Sequence, residues 1–293
     1  MNYYALGEQV ILENPSDFNI EDILECGQCF RYKKITHQHY QIIAHGLKLF
    51  IHQEKHRVVF YPTTMDVFQK IWIPYFDLKR NYGQIKTKLS TEDPILAEAI
   101  AYKPGIRLLR QDPWECLISF IISQNKRIIH IQQIIGYLSE TFGSRMDANE
   151  EKGDYIFPTP QQLGKGTEED IRKCKAGFRA PYIVDACMKI NDGEINLDAL
   201  YEYPTEEARK ELLKIRGVGP KIADCVLLFA YGRYEVFPTD VWIERMMKKF
   251  YVGDKASKAE IQQYAAKQFG DLGGFAQQYL FYYGREKQIN ENK

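Results

Sequence analysis

Lys221 stands directly behind Gly217-Val218-Gly219-Pro220, and Asp240 follows nineteen residues later, behind Phe237-Pro238-Thr239. Proline suits the first position of a helix, so Lys221 is expected in a first helical turn. There the positive end of the helix dipole and the loss of solvent both disfavour a protonated amine. A neutral lysine amine is a nucleophile that forms Schiff bases. The plain alternative is a solvated lysine beside a phosphate. Asp240 reads as a helix N-cap, ordinarily a structural role. A carboxylate fixed near an amine can also stabilise positive charge developing on a sugar. Cys26-x-x-Cys29 has redox or metal spacing, and five of the six histidines lie between His37 and His56. Zinc would require those segments to meet, but the histidines sit in what read as exposed strands, and no second cysteine pair exists.

The elements that must position these groups carry their own signals. Thr205 is expected to cap a helix whose apolar face is Ala208, Leu212 and Ile215. Gly217 to Pro220 then form a tight turn, with glycines free to take positive φ. The second helix presents Ile222, Cys225, Val226 and Phe229. Two short helices joined by a glycine hairpin offer unpaired N–H groups, which with the dipole make a phosphate site indifferent to base identity. A purely structural helical hairpin has the same pattern.

Over the whole chain, Phe18 to Tyr61 reads as strands, in FRYKKI, YQIIA, LKLFIH and RVVFYP, with turns at His45-Gly46 and Gln53–His56. From about residue 85 the period is helical and the caps explicit. Asp112-Pro113-Trp114-Glu115, Thr167-x-x-Asp170 and Ser257-x-x-Glu260 are starts, and Gly177 and Gly270 are stops. The expected fold class is α+β. A small antiparallel sheet domain spans residues 1–100, with some C-terminal helix packed against it. A helical domain spans 101–293 and carries the hairpin at about 205–231.

The 293 residues hold 39 Lys+Arg and 39 Asp+Glu, so a polybasic tail is excluded while a local basic patch is not. Apolar residues at 45% and aromatics at 13% fit a globular chain. No apolar run approaches a membrane span. MNYYALGEQV lacks the features of a signal peptide, so a cytoplasmic, nucleoid-associated protein is expected. Six scattered cysteines do not make a disulfide framework, and the four-cysteine pattern of an iron–sulfur cluster is absent.

Leu213-x-x-x-Gly217-Val218-Gly219-Pro220-Lys221-Ile222-Ala223-Asp224-Cys225, followed by Pro238-Thr239-Asp240-Val241, resembles the helix-hairpin-helix DNA glycosylases with a GPD-type loop. The closer resemblance is to the 8-oxoguanine DNA glycosylase/AP lyase branch. Cys26-Gly27-Gln28-Cys29-Phe30-Arg31-Tyr32 is similar to that branch's Ser-Gly-Gln-x-Phe-Arg-Trp strand. Leu109 to Cys116 with Ser123-Gln124-Asn125, Gly177-Phe178-Arg179-Ala180, and Gly274 to Phe281 are similar to three more of its blocks, in the same order.

The resemblance implies a bifunctional enzyme that flips 8-oxoguanine, and formamidopyrimidine as a further substrate, out of duplex DNA. Lys221 would attack the anomeric carbon, hold the sugar as an imine and permit β-elimination, with Asp240 steadying the cationic sugar. Gly27 would present its carbonyl to the purine N7, which carries a proton in 8-oxoguanine and a lone pair in guanine. Phe281 and Cys225 would sandwich the base, Gln277 would read its pairing edge, and Trp242 would flank the pocket in place of a histidine. Asn125 would fill the vacated gap, Phe178 would wedge into the stack, and Arg179 would touch the estranged base. His130 stands where eukaryotic members carry arginine, and Phe178 where they carry tyrosine, so a weaker preference for an opposite cytosine is expected. Gly217 and Gly219 would hold the DNA backbone. No chemical cofactor is implied, although the carbonyls of Leu213, Ile215 and Val218 are candidates for a phosphate-bridging cation. The implied partner is double-stranded DNA bearing oxidised guanine, bound by a monomer away from any membrane. Two other readings compete: a glycosylase for another lesion such as alkylated purines, and a noncatalytic module that only grips DNA backbone.

Overall fold

A computed structural model describes residues 1–91, 93–146 and 153–287. Six strands form one antiparallel sheet: β1 (Asn2–Leu6), β2 (Gln9–Glu13), β3 (Tyr32–Thr36), β4 (His39–Ala44), β5 (Leu47–Gln53) and β6 (Arg57–Tyr61), in the spatial order β1-β2-β6-β5-β4-β3. Alternation decides which face is covered. Val10 and Leu12, Tyr40 and Ile42, Leu49 and Ile51, and Val58 and Phe60 all point into one buried cluster. Across from them lie Ile20, Ile23 and Leu24 of a short helix α1 (Ile20–Glu25), with Phe68, Trp72 and Phe76.

The N-terminal half departs from the sequence expectation in two respects. β1 and β2 precede the segment read as strands, and within that segment Ile20–Glu25 is helical, started by the Asn19 side chain accepting the Asp22 amide. Residues 26–31, expected as strand, form an irregular loop, and the strand begins only at Tyr32. Gly27 at φ +84 explains this, because that conformation interrupts a ladder.

The remaining body is helical: α2 (Tyr82–Ser90), α3 (Pro94–Tyr102), α4 (Pro113–Ser123), α5 (Ile128–Phe142), α6 (Ala180–Asn191), α7 (Thr205–Leu213), α8 (Pro220–Phe229), α9 (Val241–Met247), α10 (Lys258–Phe269) and α11 (Gly273–Glu286), with single turns between several of them. α4 and α8 are buried along nearly their whole length and pack on one another at the centre of a second apolar cluster. The expected caps form. The Asp112 side chain accepts the Glu115 amide at 2.8 Å, and Thr167 and Ser257 close capping boxes with Asp170 and Glu260. Gly177 and Gly270 take φ +62 and +49 where their segments stop. Thr205, however, is not a cap. Pro204 occupies that position and the Thr205 hydroxyl donates to Glu235. No helix among the described residues is long and apolar enough to cross a membrane.

Candidate active site

α7 and α8 form the hairpin. Ala208, Leu212 and Ile215 bury one face of the first helix, and Ile222, Cys225, Val226 and Phe229 one face of the second. The Arg209 Nε donates to the buried Asp224 at 2.7 Å, tying the two helices together. Of the two hairpin glycines only Gly217 uses its conformational freedom, at φ +80, and a Cβ there would lie 2.3 Å from the Tyr182 ring. Gly219, expected to share that freedom, is the N-cap of α8 at φ −99 with extended backbone.

Lys221 lies in the first turn of α8, partly buried, with its Nζ 5.2 Å from the centroid of the Phe120 ring. Phe120 is itself stacked on Phe229 and edge-on to Phe30. A cation over such a face is attracted by the ring quadrupole, and the rigid stack fixes where the amine rests. Phe120 was not singled out from the sequence, where it reads as one more apolar position of α4. One turn beyond Lys221, Cys225 is 4% exposed. Burial pushes its thiol up to about 11, while the adjacent Lys221 charge pulls the other way. Asp240 caps α9, accepting the Ile243 amide at 2.9 Å. Burial raises its carboxyl above the ordinary carboxylate range, opposed by that amide and by the charge on Lys221. Cys225, in the middle of α8, therefore shares one electrostatic environment with Lys221 and Asp240 at the starts of α8 and α9.

A second group of residues comes from the N-terminal loop and α11. A Cβ at Gly27 would lie 3.1 Å from both the Phe281 ring edge and the Arg285 Nη1, so nothing larger than glycine fits without displacement. Phe281 packs against the cluster that contains Cys225. Gln277 is 5% exposed, and its Oε1 is buried without a hydrogen-bond partner. A buried orphan acceptor is costly, and a purine N–H could relieve it. Trp242, in the first turn of α9, carries the Arg245 guanidinium 5.1 Å from its ring centroid.

A third set lies on exposed turns. Asn125, at φ +52, and His130 are exposed on either side of the start of α5, and Phe178 is 51% exposed. Arg179 departs from expectation. It is 2% exposed, stacks 4.1 Å from the Phe178 ring centroid, and donates to the Ala176 and Gln124 carbonyls. Nη1 and Nη2 thereby join the Phe178 turn to the Asn125 turn, while Nε is buried without a partner among the described residues. Cys26 and Cys29 are both buried free thiols, and no metal-holding cluster occurs among the described residues. The hairpin carbonyls belong to Leu213, Ile215 and Val218, and that of Ile215 also accepts the Val218 amide at 3.0 Å.

Residues 10–117 match the family model described as 8-oxoguanine DNA glycosylase, N-terminal domain, and residues 118–270 match the HhH-GPD superfamily base excision DNA repair protein. A probable N-glycosylase/DNA lyase of Methanothermobacter thermautotrophicus is 32% identical over 230 residues, covering 72% of this chain and 72% of the relative. The Clostridium acetobutylicum 8-oxoguanine glycosylase/lyase, solved with double-stranded DNA containing cytosine opposite 8-oxoG, superposes with a TM-score of 0.95 at 41% identity, covering 99% of each chain. MBOgg1, solved in complex with a low affinity DNA ligand, superposes at 0.94 with 47% identity, over 98% of this chain and 99% of the other.

Proposed function

Because this chain belongs to the 8-oxoguanine DNA glycosylase branch of the HhH-GPD base excision repair superfamily, we propose that it excises 8-oxoguanine from duplex DNA and then cleaves the strand at the abasic site. The observation that carries the reading is the shared electrostatic environment of Lys221, Cys225 and Asp240, with Phe281, which touches Gly27, packed on the apolar cluster that contains Cys225. Helix starts bring backbone N–H groups and positive potential to phosphates. They thereby draw the sugar of an extruded nucleotide toward Lys221.

The lone pair of Lys221 Nζ forms a bond to C1′ as the glycosidic C–N bond breaks and its electrons leave with the base. The Asp240 carboxylate offsets the positive charge that grows on the ring. Nitrogen gives up its two protons, one to the departed base and one to O4′, as the C1′–O4′ bond breaks and the sugar opens to the imine. Abstraction of a C2′ proton then expels the 3′ phosphate, and water releases the lysine. Gly27 supplies the carbonyl that accepts N7–H, Gln277 Oε1 accepts from the pairing edge, and Cys225 and Phe281 take the two faces. Asn125 and Phe178 occupy the space the nucleotide vacates, and His130 meets the base left behind. Gly217 and Gly219 let the DNA backbone approach the hairpin. A carbonyl oxygen has two lone pairs, so the hairpin carbonyls remain suited to a cation bridging to phosphate. Formamidopyrimidine presents the same recognition edge and is a second substrate. The enzyme acts as a monomer on double-stranded DNA.

Borohydride trapping on a duplex with one 8-oxoguanine opposite cytosine tests this. The native protein should form a covalent adduct and Lys221→Gln none. Release of free base without an adduct would move the chemistry to water activated by Asp240. Neither adduct nor release would overturn the reading.

A further inference from the structure

We propose that Gln278 and Arg285 are positioning residues that set lesion discrimination, because they clamp the loop so that the Gly27 carbonyl stays in place to test the purine N7. The inference rests on the assignment of the base to the Gly27–Phe281 wall made above.

The two residues are seven apart on α11, which places them on one side of the helix about two turns apart. Gln278, 2% exposed, donates from Nε2 to the Cys26 carbonyl at 2.9 Å, and Arg285 donates from Nη2 to the Glu25 carbonyl at 2.8 Å. On the far side of the glycine, Gln111 Nε2 donates to the Gln28 carbonyl at 2.7 Å. The fully buried Gln28 side chain anchors that end, donating to the Ile23 and Arg107 carbonyls and accepting the Leu109 amide. The carbonyls of residues 25, 26 and 28 are thus each engaged by a long side chain. Among the described residues, nothing donates to the carbonyl of Gly27. Of the carbonyls of residues 25 to 28, it is the one without a donor among the described residues.

The clamp is needed because the reading group sits on the most permissive residue type. At φ +84 Gly27 has no side chain to restrict the peptide that follows it, so its carbonyl could rotate away from an unwelcome partner. Guanine is rejected only if the carbonyl cannot rotate, since the penalty is two acceptors forced face to face. A mismatch of that kind is worth roughly tenfold to a hundredfold in affinity. Arg285 adds a second restraint. Its Nη1 is buried without a partner and, with the Phe281 ring edge, would lie within 3.1 Å of a Cβ at Gly27, so the guanidinium backs the wall it clamps.

The test compares the full-length native chain with Gln278→Met, Arg285→Met and Arg285→Lys. Affinity is measured for a duplex carrying non-hydrolysable 2′-fluoro-8-oxoguanosine and for the same duplex carrying 2′-fluoroguanosine. Borohydride trapping on an abasic duplex, which uses Lys221 without any base, reports on the rest of the site. Each methionine variant should lose about tenfold of the affinity ratio, chiefly through tighter guanine binding, with abasic trapping retained. Arg285→Lys should recover part of the ratio by keeping one donor for the Glu25 carbonyl. Should Arg285→Met not fold, Gln278→Met reads the clamp alone. A native ratio in the folded variants, or a proportional loss of both affinities and of trapping, overturns the clamp while leaving the base assignment standing. Equal binding of the two duplexes by the native protein overturns the assignment, and the clamp with it.

Discussion

His130 is exposed in the first turn of α5, beside the turn that carries Asn125. An imidazole offers one or two donors where a guanidinium offers a rigid fork. A well-made bidentate base contact is worth about 1–3 kcal/mol of discrimination, so its loss removes roughly tenfold to a hundredfold of preference. Excision from duplexes with each of the four bases opposite 8-oxoguanine should therefore vary by less than about a hundredfold. A cytosine preference of many hundredfold would sink the idea. The neighbouring Arg179 is 2% exposed and already donates from Nη1 and Nη2 to the Ala176 and Gln124 carbonyls.

At the scale of the element, the hairpin's two glycines differ in what they permit. Gly217 combines φ +80 with a Tyr182 ring 2.3 Å from where a Cβ would stand, whereas Gly219 has ordinary backbone and open space around it. A left-handed non-glycine residue costs roughly 1–2 kcal/mol, and overpacking adds about 1–3 kcal/mol. Gly217→Ala should lower the unfolding free energy by about 2–5 kcal/mol and weaken DNA binding, since Tyr182 and the turn must move apart. Gly219→Ala should leave stability nearly unchanged. Chemical denaturation of both variants settles the contrast, and equal losses would refute it. The Arg209–Asp224 pair holds α7 to α8 whatever the turn contains.

Across the whole molecule, the loop before β3 meets the start of α4 through Arg31 and Glu115, whose nearest charged atoms are 3.6 Å apart with side chains 9% and 18% exposed. Burial pushes the Glu115 carboxyl up to about 7, against the pull of Arg31. The folded value lies above the unfolded one, so folding takes up a proton between them. Stability from this source is fully present below the ordinary glutamate range and is lost as pH rises through about 7. Native stability should fall between pH 5 and 8 by about 2–3 kcal/mol more than that of Glu115→Gln. Thermal and urea unfolding across that range measure the difference, and parallel profiles would exclude the mechanism.

What was legible in the sequence is what is encoded within a few residues. Asp112, Thr167 and Ser257 announce helix starts because a side-chain oxygen meets an amide three residues on. The hairpin, Lys221 behind Pro220 and Asp240 at its cap are local in the same sense, as is the alternation of β4, β5 and β6. Other assignments were open until distant segments met. The stretch before β3 has apolar residues that suit strand or helix, and packing against Phe68 and Phe76 selected a helix over Ile20–Glu25. Phe120 became the floor beneath Lys221 only when α4 packed on α8. Arg179 is enclosed only because the Phe178 turn and the Asn125 turn meet over it. Gln278 and Cys26, 252 residues apart, share a hydrogen bond that no spacing foretells. Local hydrogen bonds and periodicity are properties of the chain, whereas the surroundings of a side chain belong to the packed interior.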